Sequence, residues 1–140
     1  MDKEFKRQII IDNYNNPFHK EIPNGDYIKV NTSSSSCIDD LDIYFDIDKD
    51  IIKDVYFEGE ACAISTSATS IMLRKLIGKD INYVKNLLNN YKKMINEEEY
   101  DKNILEDLVV YDDIYLQPNR IGCALIPVKA IEKLLDSLEK

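Results

Sequence analysis

Three cysteines and one histidine are the residues of this 140-residue chain best suited to chemistry beyond ordinary surface acid–base work. Each cysteine falls at a junction between elements rather than inside a hydrophobic stripe. Cys37 lies in the polar loop that follows Ser33-Ser34-Ser35-Ser36, Cys62 at a strand-to-helix turn, and Cys123 at a loop-to-helix turn. A helix start offers unpaired N–H groups and the positive end of the helix dipole, a setting that favours thiolate, the form that binds metal and attacks sulfur. Cys37-Ile38-Asp39 adds a carboxylate two residues on, and an extended segment sends side chains at that spacing to the same side. Three thiolates and one carboxylate could fill a tetrahedral zinc shell. The competing reading is plain packing, because cysteine is among the most buried residue types and no C-x-x-C pair is present. His19, in Pro17-Phe18-His19-Lys20, reads as a surface loop residue with no candidate ligand near it in sequence. Arg120, three residues before Cys123, reads as a solvated loop arginine or as a stabiliser of a nearby thiolate.

The elements that must position these residues follow from periodicity. Asp2 to Tyr14, with Phe5, Ile9, Ile10 and Tyr14 apolar, predicts a short amphipathic entry helix that Asn16-Pro17 stops. Tyr27 to Val30 is a short strand. Leu41 to Asp48 alternates strictly, with Leu41, Ile43, Phe45 and Ile47 on one face, and after a turn at Asp48-Lys49-Asp50 the chain returns over Ile51 to Glu58 as a hairpin. Ala63 to Ile77 predicts a helix closed by Gly78. Asp80 caps the next, whose stripe is Ile81, Val84, Leu88, Tyr91 and Ile95. Ile104 to Tyr115 reads as a short helix, broken at Pro118-Asn119, and Ala124 to Leu138 as a closing amphipathic helix with Pro127 in its first turn. Strands followed by helices predict one α+β domain over residues 1–140, a small three-stranded antiparallel sheet packed against several helices.

Composition bounds the partners. Eighteen Lys and Arg against 26 Asp and Glu give a net charge of −8, which speaks against non-specific binding to nucleic acid or an anionic membrane. The charged start and the short run Ile9-Ile10-Ile11 resemble neither a signal peptide nor a membrane span, so the chain is expected in the cytoplasm. In that reducing compartment three cysteines are poor evidence for disulfides.

Four segments carry a family resemblance: Ile10-Ile11-Asp12-Asn13-Tyr14-Asn15-Asn16-Pro17, Cys37-Ile38-Asp39, Phe57-Glu58-Gly59-Glu60-Ala61-Cys62-Ala63-Ile64-Ser65, and Pro118-Asn119-Arg120-Ile121-Gly122-Cys123-Ala124. In these the chain resembles the iron–sulfur assembly proteins of the NifU N-terminal/IscU fold, and within them the SufU type. The general scaffold branch has a histidine directly before the third cysteine, where this chain has Gly122, and the long stretch from Ala63 to Gly122 is similar to the SufU type. The resemblance implies one zinc held by Cys37, Asp39, Cys62 and Cys123. It also implies sulfur taken from a pyridoxal-phosphate cysteine desulfurase of the SufS type, with a downstream scaffold or thiol reductant to follow. A [2Fe–2S] cluster on the same ligands is the alternative. Cys37, in its Ser-rich loop, is the expected sulfur acceptor. Asp39 is expected to be ligand and orienter, readily exchanged because carboxylate is the poorest zinc ligand of the four. Ile38 and Ala61 stand where the family commonly has glycine, which implies a stiffer or reshaped site.

Overall fold

The computed structural model describes residues 1–34 and 38–139; Ser35, Ser36, Cys37 and Lys140 lie outside them. The chain runs α1 (Lys3–Asn15), β1 (Ile28–Ser33), β2 (Asp40–Asp48), β3 (Ile51–Glu60), α2 (Ala63–Leu76), α3 (Ile81–Ile95) and α4 (Lys102–Leu105). Two 3-10 segments (Glu106–Tyr111 and Ile114–Leu116), α5 (Pro118–Ala124) and α6 (Ile126–Leu138) complete it. The fold is α+β, with a three-stranded antiparallel sheet in the order β1-β2-β3, as the alternation predicts.

Leu41, Ile43 and Phe45 of β2 and Val55 and Phe57 of β3 are fully buried on the sheet's inner face. Ile52 joins them although it lies an odd number of residues from Val55, which a regular strand would forbid. The register shift between Asp46 and Ile47 supplies the reason: a bulge at Lys53 lets both side chains face the core. Lys49 and Asp50, with φ of 52° and 64°, form the two-residue turn whose twist matches that of the flanking strands.

α2 is the central helix. Its residues from Ser65 to Leu73 are buried, and its small side chains let other elements approach closely. Ser70 Oγ donates to Asn13 Oδ1 at 2.7 Å and accepts the Phe18 N–H at 2.9 Å, so the contact between α1 and α2 has a polar component. This corrects the two ends of the apolar stripe expected of α1, Phe5 and Tyr14. Ile9 and Ile10 pack against the core as expected, but Phe5 and Tyr14 are exposed and Asn13 turns inward, because Asn13 has a polar partner on α2. α3 buries the predicted face, and Asp80 caps it through the Tyr83 N–H.

Two other expectations change. The segment from Ile104 onward is not one helix: α4 ends at Glu106, whose φ of 49° turns the chain, and 3-10 segments follow. The buried residues Leu105, Leu108, Tyr111 and Ile114 recur every three residues, the period of a 3-10 helix rather than 3.6. Pro118 does not only break; it opens α5, since a proline at the first helical position forfeits an N–H that has no helical partner anyway.

Residues 19–20 run beside β3. The Phe57 N–H donates to the His19 carbonyl at 3.1 Å, and Lys20 forms an ion pair with Glu58 at 2.7 Å. His19 is accordingly more than a loop residue: its Nδ1–H donates to the Val55 carbonyl at 2.9 Å, and its ring stacks between Phe18 and Tyr56. The Lys20 bond and the Gly59 N–H hold the Glu58 carboxyl below its ordinary value of 4.5, against a smaller opposing push from burial. A depressed carboxyl stabilises the fold above its unfolded pKa and loses that contribution as pH falls through its folded pKa. Glu58→Gln is therefore expected to flatten the decline in urea midpoint below about pH 4.5 and to leave its slope near pH 7 unchanged. An identical acid limb in both proteins would contradict this.

Candidate metal centre

Asp39, Cys62 and Cys123 reach one point from three parts of the chain. Asp39 immediately precedes β2, Cys62 is the N-cap of α2, and Cys123 lies in the last turn of α5. Their ligand atoms all lie within 4.8 Å of one another. This is the constellation expected from sequence, less Cys37, which lies outside the described residues. His19 is not part of it.

Cys62 sits as predicted at a helix start. Its Sγ accepts the Ser65 N–H at 3.5 Å in the manner of an N-cap, and lies 3.4 Å from the Ser65 hydroxyl. Burial pushes this thiol up, but the Ser65 hydroxyl, the Ser65 N–H and the Cys123 thiol together bring it below its ordinary value, with the Asp39 charge opposing. Cys123 departs from expectation. It is fully buried within α5 rather than at a helix start, because α5 begins at Pro118 and α6 only at Ile126. Neither Cys62 nor Cys123 is in a disulfide. Arg120 is an exposed residue of α5, one helical turn before Cys123.

Asp39 is held more firmly than a readily exchanged ligand needs to be. It is 2% exposed, its Oδ1 accepts the Cys62 N–H at 2.8 Å, and its Oδ2 accepts the Ser65 hydroxyl at 2.6 Å. Ile38 is 72% exposed, so its bulk lies in solvent rather than against the buried carboxylate. Ala61 is partly buried against the core. Sequence reasoning missed Ser65, whose position three residues after an N-cap was the available signal.

Two thiols and a carboxylate in a largely buried cluster form a donor set suited to zinc, which takes sulfur and oxygen ligands together. Residues 5–122 match the family described as the NifU-like N terminal domain. The chain belongs to the NifU-like N-terminal domain family. Among relatives, this NifU-like chain is 37% identical over 128 residues to the protein named zinc-dependent sulfurtransferase SufU of Bacillus subtilis (strain 168), covering 91% of the chain and 86% of the relative. It is 29% identical over 105 residues to the iron–sulfur cluster assembly scaffold protein IscU of Thermotoga maritima, covering 75% and 74%. A crystal structure from Fervidobacterium islandicum AW-1, described as a candidate iron–sulfur cluster assembly scaffold protein for the SUF system, superposes with a TM-score of 0.82 at 33% identity, over 89% of this chain and 92% of that one. The NifU-like N-terminal protein of Brucella abortus, at 15% identity and a TM-score of 0.84 over 99% and 98%, shares the fold. Among the described residues, no helix of the NifU-like chain is long and apolar enough to cross a membrane.

Proposed function

We propose that this chain is a zinc-dependent sulfur acceptor in iron–sulfur cluster assembly, loaded by a pyridoxal-phosphate cysteine desulfurase. The observation that carries the reading is the meeting of Asp39, Cys62 and Cys123 within 4.8 Å, in a chain that places a further cysteine two residues before Asp39. The name of the Bacillus relative supports the zinc and the transfer. Cys37, Asp39, Cys62 and Cys123 would hold the metal. Bound there, zinc would keep the thiols deprotonated at neutral pH and organise the loops, without redox chemistry of its own.

The protein's own residues divide the work. Cys62 and Cys123 are built into helices and serve as the fixed ligands. Asp39 is anchored on the start of α2. Cys37 is the acceptor: its thiolate attacks the outer sulfur of the desulfurase persulfide, a new S–S bond forms to Cys37, and the bond to the desulfurase cysteine breaks, releasing that cysteine as thiolate. One S–S bond replaces another, so no external oxidant or reductant enters. Arg120 is assigned the lesser role of stabilising a freed thiolate.

A second reading is supported by the scaffold names of the Thermotoga and Fervidobacterium proteins, since thiolates serve iron as well as zinc. Elemental analysis separates the two. Protein expressed without added metal is expected to carry about one zinc per chain and no acid-labile sulfide, and to stimulate sulfur release by a SufS-type desulfurase. Iron with sulfide and visible absorption, together with cluster handover to an apo-protein, would move the conclusion to a [2Fe–2S] scaffold.

A further inference from the structure

Asp39 supplies the missing half of a helix cap. In an ordinary capping box the first residue's side chain accepts the N–H three residues on, while a carboxylate at that later position reaches back to the first residue's own N–H. Here Cys62 Sγ accepts the Ser65 N–H, but position 65 is a serine with no acid to return. Asp39, 23 residues earlier in the chain, takes the Cys62 N–H instead, and the Ser65 hydroxyl donates to its second oxygen. The carboxylate is thus pinned at the positive end of α2 by two donors from one helical turn. An ionised carboxylate has about four lone-pair directions, of which two are used, so each oxygen keeps one for a metal.

We infer that Ser65 is a positioning residue for the metal centre: its hydroxyl fixes the orientation of the Asp39 carboxylate and so keeps Asp39 in the ligand set. This rests on the metal-site reading above. Ser65 is fully buried, its Oγ lies 2.6 Å from Asp39 Oδ2 and 3.4 Å from Cys62 Sγ, and it therefore touches two of the proposed ligands without being one. A hydrogen bond from a hydroxyl to an ionised carboxylate is short and strong, and partners of this kind commonly set metal affinity by 10- to 100-fold. The Ser65 N–H that caps Cys62 belongs to the backbone and survives any side-chain change, so the hydroxyl can be tested apart from the cap.

The test uses the full chain with cobalt(II) as a spectroscopic substitute for zinc, titrated against a chromophoric chelator. Ser65→Ala is expected to weaken cobalt binding by roughly 10- to 100-fold and to shift the ligand-field bands, while the metal-free circular dichroism stays that of the parent. In an Asp39→Ala background the same replacement is expected to cost no further affinity, because the hydroxyl acts through the carboxylate. Ser65→Thr, which keeps the hydroxyl, is expected to bind within a few-fold of the parent, and it carries the test should the alanine variant not fold. Parent-like affinity and bands in Ser65→Ala, equal losses with and without Asp39, or a threonine variant as weak as alanine would each overturn the role of Ser65. A parent chain that takes up no cobalt would instead strike down the metal-site reading itself.

Discussion

Replacing Cys37 with alanine is expected to abolish stimulation of the partner desulfurase while leaving the chain folded. The two halves of this expectation have different physical origins. Transfer needs a thiolate able to attack a persulfide, and alanine has no nucleophile to offer. Folding draws on the core formed by the sheet, α2, α3 and α6, whereas Cys37 stands in a Ser-rich stretch of the sequence outside any apolar stripe. Cys62→Ala makes the contrast, for it removes both a proposed metal ligand and the N-cap of α2. Loss of a cap alone costs about 1 kcal/mol, and a structural zinc at the proposed site would add its own share to folding. Desulfurase turnover and thermal melting of both variants, each with and without zinc, provide the check. Undiminished stimulation by Cys37→Ala would sink the acceptor role. Equal melting of the zinc-loaded parent and of Cys62→Ala would sink the assignment of Cys62 as a ligand.

Gly59→Ala is expected to be the most destabilising small substitution near the site. A Cβ at residue 59 would stand 2.3 Å from the Asp40 carbonyl oxygen and 3.1 Å from Leu41 Cα, both backbone atoms that cannot swing aside. The φ of +133° adds a conformation that side chains rarely adopt. Overlap of this kind costs about 1–3 kcal/mol and a backbone held in a sparsely populated region about 1–3 more, so ~3 kcal/mol is expected. Relief by separating β2 from β3 would also move Asp40, and with it the neighbouring Asp39, a proposed ligand, so metal affinity should fall together with stability. Gly78→Ala serves as the control: φ there is +81° with nothing within 4 Å of an added Cβ, so it reports the conformational cost alone. Urea unfolding of the two variants decides, and equal losses would remove the steric argument.

The hairpin, α3 and the start of α2 could be read from the sequence because each is governed by local chemistry. Strict alternation from Leu41 to Ile47 marks a half-buried strand, and Asp80 caps a helix wherever an apolar stripe follows it. The 3-10 stretch was legible in principle, since Leu105, Leu108, Tyr111 and Ile114 repeat every three residues. The face of α1 was not. Whether Phe5 or Asn13 turns inward depends on what α2 presents, and α2 presents Ser70, a residue 57 positions away from Asn13.

The same division holds for the metal centre. The sequence by itself supplied the candidate donors, three thiols and the carboxylate at Asp39, and the placement of Cys62 at a helix start. That Asp39, Cys62 and Cys123 belong together was implied by the family resemblance alone; the tertiary structure brings them within 4.8 Å, and it alone decided that Cys123 arrives inside α5 rather than at a helix start and that Ser65 clasps Asp39. The reason lies in the range of the forces. Caps and periodicity act over three or four residues and leave their mark in the local sequence. The meeting of residues 39, 62 and 123 is set by how the sheet, α2 and α5 pack, and no local pattern encodes it.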